Sequence, residues 1–147
     1  MTHSFDQQKG KPLKNKIHVF RKQKNWTLKK LSELSGVRFN TVWRIENGYG
    51  TALKNAYKIA RVFQTTIYEL WDIPPSGAVS AQSDKTKTLS LAELRFQRGW
   101  VLEDLAQFSG VSKTTLFHVE KGHMPALETA VRIARAFGVS VYEIWKP

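Results

Sequence analysis

Cysteine is absent from the 147 residues. That removes disulfides, thiolate metal sites and cysteine nucleophiles together. No apolar run approaches the roughly 20 residues a membrane span needs, and the N-terminus lacks the apolar stretch of a signal peptide. A soluble cytoplasmic protein with no membrane partner is expected. The apolar–polar alternation of a half-buried strand is missing, so the fold class expected is all-α. There is no Walker loop and no Gly-rich nucleotide turn. The four histidines, His3, His18, His118 and His123, show no ligand spacing such as HExxH. No enzyme, no metal and no cofactor is expected. Acidic residues are scarce, 12 against 23 Lys and Arg, which leaves a net charge of +11.

What is present is one unit written twice. Ser35-Gly36-Val37-Arg38-Phe39-Asn40-Thr41-Val42-Trp43-Arg44-Ile45-Glu46-Asn47-Gly48 returns 74 residues later as Ser109 to Gly122. Extended without a gap, the offset pairs 17–71 with 91–145, and 21 of those 55 pairs are identical. Apolar positions follow: Leu28/Leu102, Leu31/Leu105, Ile59/Ile133, Phe63/Phe137, Trp71/Trp145. The chain therefore divides into a basic N-terminal arm (1–16), repeat one (17–71), a polar connector (72–90) and repeat two (91–147). Units of about 55 residues can fold alone with small margins.

The charge is not shared equally. Repeat one carries +7, the arm +3, the connector zero and the 91–145 repeat zero. A basic half suggests a polyanion, most simply nucleic acid or an anionic surface; the plain alternative is a solubility device. The arm, with Lys9, Lys11, Lys14 and Lys16, lacks apolar periodicity and reads either as a loose terminus or as a basic arm embracing DNA. The connector contains Pro74, Pro75, Ser76 and Gly77 and reads as a flexible linker. Its typical span would be roughly 24 Å and its limit about 60 Å. One turn of B-DNA, about 34 Å, lies between those values.

Each repeat reads as five short helices. In repeat one the first holds Ile17, Phe20, Arg21 and Lys24. Thr27 is a suitable N-cap for the second, which carries Leu28, Leu31 and Leu34 on one face and stops at Gly36. The third runs from about Arg38 to Asn47 and stops at Gly48. Ala52 to Phe63 gives the fourth, and Thr66-Ile67-Tyr68-Glu69 is a capping box opening the fifth. Repeat two follows suit, with Ser140 to Glu143 as its box and Pro125 near the start of its fourth helix.

Five helices with the second and third joined across Ser-Gly-Val resemble the Cro/repressor-like (XRE-type) helix-turn-helix family. The resemblance rests on Thr27 to Val37 with Thr41 to Gly48, and again on Leu102 to Ser112 with Thr115 to Gly122. It implies two lambda-repressor-like domains in a bacterial or phage regulator of transcription, nucleoid-associated, whose third helix enters the major groove of double-stranded DNA. It also implies ion pairs between an Arg of the first helix and the Glu closing the third. Those positions are Arg21 with Glu46 and Arg95 with Glu120, read as structural. Ser32 and Ala106 hold the place where a small residue lets two helices cross closely.

At 100° per residue, Thr41, Val42, Ile45 and Glu46 share one side of the third helix, and Phe39, Asn40, Trp43, Arg44 and Asn47 the other. The first set belongs inside, so the second is the candidate reading face. Asn suits adenine, Arg guanine, and an aromatic a thymine methyl. The base-reading set expected is Phe39, Asn40, Trp43 and Arg44 in repeat one, with Arg38 added because the family resemblance implies that such helices touch bases there. In repeat two it is Ser112, also the N-cap, with Lys113, Thr114, Phe117 and His118. Trp43 and Phe117 depart from the usual polar position and meet DNA, pack on neighbouring helices, or join a protein interface. Arg38 stands where the family favours a Ser/Thr cap, a loss of roughly 1 kcal/mol. Phosphate contacts are expected from Lys29, Lys30, Asn47 and Lys121. Repeat two has Glu103 and Asp104 in place of Lys29 and Lys30, favourable for the helix dipole but unfavourable beside phosphate. The expected function is a regulator reading DNA through both repeats as an intramolecular pseudo-dimer. The alternative keeps DNA on repeat one and gives repeat two to a homodimer contact or a protein partner, as in an adaptor or antitoxin-like regulator.

Overall fold

Ten short helices and no named strand make up the described residues, 13–76 and 90–147 of a computed structural model. In repeat one they are α1 Ile17–Gln23, α2 Leu28–Ser35, α3 Phe39–Glu46, α4 Leu53–Val62 and α5 Ile67–Leu70. In repeat two they are α6 Leu91–Gln97, α7 Leu102–Ser109, α8 Lys113–Glu120, α9 Leu127–Phe137 and α10 Val141–Ile144. Residues 1–12 with Lys9 and Lys11, and residues 77–89 of the connector, lie outside the described set.

The caps explain the boundaries. The Thr27 hydroxyl accepts the Lys30 N–H at 3.0 Å, and Gly36 closes α2 in the left-handed conformation at φ +78°. In repeat two Val101 replaces Thr27 and has no acceptor. There the Asp104 carboxylate reaches back to the Val101 N–H at 2.9 Å, satisfying a different donor of the same helix end. Ser140 and Glu143 form the expected reciprocal box, with the Ser140 N–H donating to Glu143 at 2.8 Å. Its counterpart is only half made: the Thr66 hydroxyl accepts the Glu69 N–H at 3.2 Å, and the Glu69 side chain stays in solvent.

Each repeat buries its apolar stripe in its own centre. Ile17, Leu31, Val42, Ile45, Leu53 and Ile59 fill the first, and Leu91, Leu105, Leu116, Leu127 and Ile133 the second. Trp26 stacks on Phe63 at 5.4 Å between ring centroids, and Trp100 on Phe137 at 5.2 Å.

The chain N-terminal to α1 is tied down from Leu13 onward. Leu13 packs against the core, the Asp72 N–H donates to the Lys14 carbonyl at 2.9 Å, and the Lys16 N–H donates to the Leu70 carbonyl at 2.7 Å. The Asn15 amide donates to the Ile45 carbonyl at 2.9 Å, satisfying one of the free carbonyls at the end of α3. The last four residues of the arm read as loose are therefore part of repeat one.

The repeats also pack on each other, along α4 with α9 and at the starts of α5 and α10. The pairing is reciprocal. The Ile67 N–H donates to the Tyr142 hydroxyl and the Val141 N–H to the Tyr68 hydroxyl, both at 2.9 Å. The Leu53 N–H donates to the Pro125 carbonyl at 3.1 Å and the Leu127 N–H to the Thr51 carbonyl at 2.9 Å. Ala52 faces Ala126 in an isolated antiparallel bridge. Every partner pair swaps into the other on adding or subtracting 74, the signature of an isologous two-fold contact. Ile67 and Val141 open their helices, so each tyrosine satisfies an N–H that has no acceptor within its own helix. Tyr57 breaks the symmetry: it stacks on Tyr142 at 5.2 Å and donates to the Trp145 carbonyl, where repeat two has Val131. Burial pushes the Tyr142 hydroxyl, which accepts the Ile67 N–H, up to about 12.

Candidate nucleic-acid interface

The two ion pairs expected at the base of the helix-turn-helix are present. Arg21 meets Glu46 in a two-pronged pair at 2.8 Å on each oxygen and also donates to the Trp26 carbonyl at 2.8 Å. Arg95 meets Glu120 at 2.7 and 3.1 Å and the Trp100 carbonyl at 3.1 Å. Side-chain exposure is 10% and 9% in the first pair, and 14% for both partners in the second. Burial pushes the Glu46 carboxyl up, but hydrogen bonds from Arg21 and His18 outweigh it and hold the group below its ordinary value. These pairs lock the first helix to the end of the third in each repeat, which fixes the angle at which α3 and α8 stand out.

The inner sides of α3 and α8 are where periodicity puts them, with Val42, Ile45, Leu116 and Val119 buried. Arg38, Phe39, Asn40, Trp43, Arg44 and Asn47 are all exposed, and so are Ser112, Lys113, Thr114, Phe117, His118 and Lys121. Phe39, Trp43 and Phe117 keep 47%, 47% and 46% of their surface in solvent. The two irregular aromatics, Trp43 and Phe117, thus present nearly half of their surface outward. Arg38 makes no side-chain cap on α3.

Some side chains of this face already have local partners. The Ser112 hydroxyl accepts the Thr115 N–H at 3.2 Å and donates to the Thr115 hydroxyl at 2.9 Å, closing the start of α8. The Asn47 amide donates to the Trp43 carbonyl at 2.8 Å. The Lys121 ammonium lies 4.9 Å from the Phe117 ring centre. Lys113 pairs with Glu103 at 3.3 Å, both exposed, so one acidic substitution of repeat two partly neutralises a candidate reading residue. Lys29 and Lys30, by contrast, stand exposed in the first turn of α2.

Two residues outside the expected set join the face. Tyr49 lies under Arg44, with 4.6 Å between guanidinium carbon and ring centre, and His123 meets His118 edge-on at 5.7 Å. Both follow the glycine that ends the helix, where the helical pattern gives no signal. Among the described residues no cluster of three or more His, Asp or Glu could hold a metal ion, and no helix is long and apolar enough to cross a membrane.

Two exposed helices, each braced by a buried Arg–Glu pair and preceded by a Ser-Gly-Val turn, define a helix-turn-helix protein. The helix-turn-helix family model matches residues 17–70 and again 91–144; the chain belongs to that family and is a DNA-binding regulator of transcription, not an enzyme. An uncharacterized HTH-type transcriptional regulator of Archaeoglobus fulgidus is 40% identical over 60 residues, which cover 40% of this chain and 84% of that one. Another from Methanocaldococcus jannaschii is 46% identical over 44 residues, 29% of this chain and 67% of its own. These relatives are archaeal, so the bacterial or phage origin implied by the resemblance finds no support in them. No solved structure matches the chain.

Proposed function

We propose that the chain reads double-stranded DNA sequence-specifically as an intramolecular pseudo-dimer, setting the outward faces of α3 and α8 into neighbouring stretches of major groove. The observation that carries this reading is the two-fold pairing of Ala52 with Ala126. Each lies four residues beyond the glycine ending a reading helix, a run of at most about 14 Å. With about 5 Å across the bridge and the chain folded back after each glycine, Gly48 and Gly122 lie well inside roughly 35 Å, so both reading helices end beside the same two-fold contact. One helical turn of B-DNA is about 34 Å, the spacing at which two-fold related half-sites recur on one side of the duplex.

The A. fulgidus relative whose 84% is 60 residues is about 70 residues long, room for one helix-turn-helix unit. Here one chain holds two, joined by the contacts described above, so the second half-site is met at high effective concentration. No outward position is identical between the repeats, so the half-sites should differ. Repeat one, at +7 against zero, supplies most of the attraction to phosphate through Lys29, Lys30 and their neighbours. Cytoplasmic, nucleoid-associated residence goes with this role. Sedimentation of the intact protein with a bound duplex tests the reading. A monomer when free and one chain per duplex at saturation is expected; two chains per duplex would rule out the pseudo-dimer.

One observation favours a second reading. Phe96, Val101 and Phe108 of repeat two are 71%, 59% and 59% exposed, where repeat one has Lys22, Thr27 and Leu34. In that reading repeat one holds DNA while repeat two takes a protein partner or a second copy of the chain, as an adaptor or antitoxin-like regulator would. Concentration-dependent dimers of the free protein that vanish on Phe108→Ser would support it.

A further inference from the structure

We propose that Tyr49 is a positioning residue for base recognition, holding the Arg44 guanidinium in the orientation that a guanine edge requires. The proposal rests on the reading of Arg44 as a base contact. Arg44 lies on the last turn of α3, exposed, and no described carboxylate pairs with it. A free arginine has several rotatable bonds and would spread its planar fork over many directions; a fork aimed at a guanine needs one. The Tyr49 ring lies 4.6 Å from the guanidinium carbon, within the range at which a cation is attracted to an aromatic face.

The ring is itself held. Gly48, at φ +95°, turns the chain sharply after α3, and the Tyr49 N–H donates back to the Arg44 carbonyl at 2.9 Å. That brings the backbone of the two residues together before their side chains meet. Tyr49 also lines a cavity of about 330 Å³ with Trp71 of its own repeat and Ala126, Leu127 and Glu128 of the other. Its place is therefore tied to the contact between repeats as well as to α3. Repeat two repeats the fold-back with other chemistry: the His123 N–H donates to the His118 carbonyl at 3.2 Å, and the two imidazoles meet edge-on. A residue beyond the helix end supports the reading residue in both copies.

The test uses the intact protein and a panel of duplexes, each differing by one base pair from the best-bound sequence. Arg44→Ala is expected to abolish the preference for guanine at one position. Tyr49→Ala should lower that same preference about three- to fivefold, leaving the other positions and the salt dependence unchanged. Tyr49→Phe, which keeps the ring, should restore it. An unchanged preference in Tyr49→Ala would overturn the proposal, as would an equal loss on every duplex. Failure of Tyr49→Phe to rescue would also overturn it, by making the hydroxyl the active group. If Arg44→Ala leaves every preference intact, the base-contact reading itself falls, and the positioning role falls with it. If Arg44→Ala removes a preference that Tyr49→Ala does not touch, only the positioning role is lost.

Discussion

Repeat one and repeat two keep the same frame and change the same surface. Identical pairs include Arg21/Arg95 with Glu46/Glu120, Ala52/Ala126, Ile59/Ile133 and Tyr68/Tyr142, which brace the reading helix, fill the core or join the repeats. None of the six outward positions, Arg38, Phe39, Asn40, Trp43, Arg44 and Asn47, matches its partner. Charge divides along the same line, +7 against zero. The braces and most of the two-fold contact are shared, and the outward faces of the reading helices have diverged. A duplication held in one chain permits this: each surface serves its own half-site while the two-fold contact stays self-complementary.

The largest expected effect tests the shared frame. Arg95→Met strands a nearly buried glutamate and an unpaired backbone carbonyl and should cost about 3 kcal/mol or more in urea unfolding; Arg21→Met leaves Glu46 its His18 contact at 3.3 Å and should cost somewhat less. A surface-like loss in only one of them would break the equivalence of the repeats. Acid sharpens the same point. Because Glu46 is held below its ordinary value of 4.5, its contribution is complete above that pH and lost as pH falls through the folded value. Thermal melting below pH 4.5 should show the loss, and Glu46→Gln should remove that dependence.

Next come the crossed tyrosines. Tyr142→Phe leaves the Ile67 N–H without its acceptor and Tyr68→Phe does the same to Val141. Each should lose about 1–2 kcal/mol, equally if the two-fold contact is energetically symmetric. Calorimetry of both variants would expose any inequality. On the surface, Lys29→Ala should weaken binding to all sequences alike and flatten the log–log salt slope by about 0.9. The matching change Glu103→Ala should raise affinity slightly, since it also frees Lys113. The smallest effect concerns Gln64, which adopts φ +56° where repeat two has Gly138 at φ +70°. Gln64→Gly should stabilise repeat one by up to about 1 kcal/mol, read from the denaturation midpoint.

Much of this frame was legible in the chain. Apolar spacing separated Val42 and Ile45 from the outward residues, Thr27 and Ser140 announced their caps, and the family resemblance pointed to the Arg–Glu pairs. The contact between repeats was not legible. The connector's length allowed any separation up to its limit, and nothing in Tyr68 or Tyr142 says that its hydroxyl meets the opposite helix. Leu13 to Lys16 read as a loose arm because two backbone bonds, one leucine and one asparagine anchor them, too few side chains to make a periodic pattern. Tyr49 was missed for a related reason: it lies past the helix end, and only the turn at Gly48 brings it back under Arg44.

The measurement that tests the central claim most directly is selection of bound sequences from a random duplex pool with the intact protein. The account predicts two unlike motifs at a fixed spacing near one helical turn, with one position of the better-defined motif relaxed in Arg44→Ala. A single short motif, indifferent to substitutions in α8, would contradict it and leave repeat two to a partner. A true palindrome would contradict it as well, by calling for two chains that each contribute the same repeat.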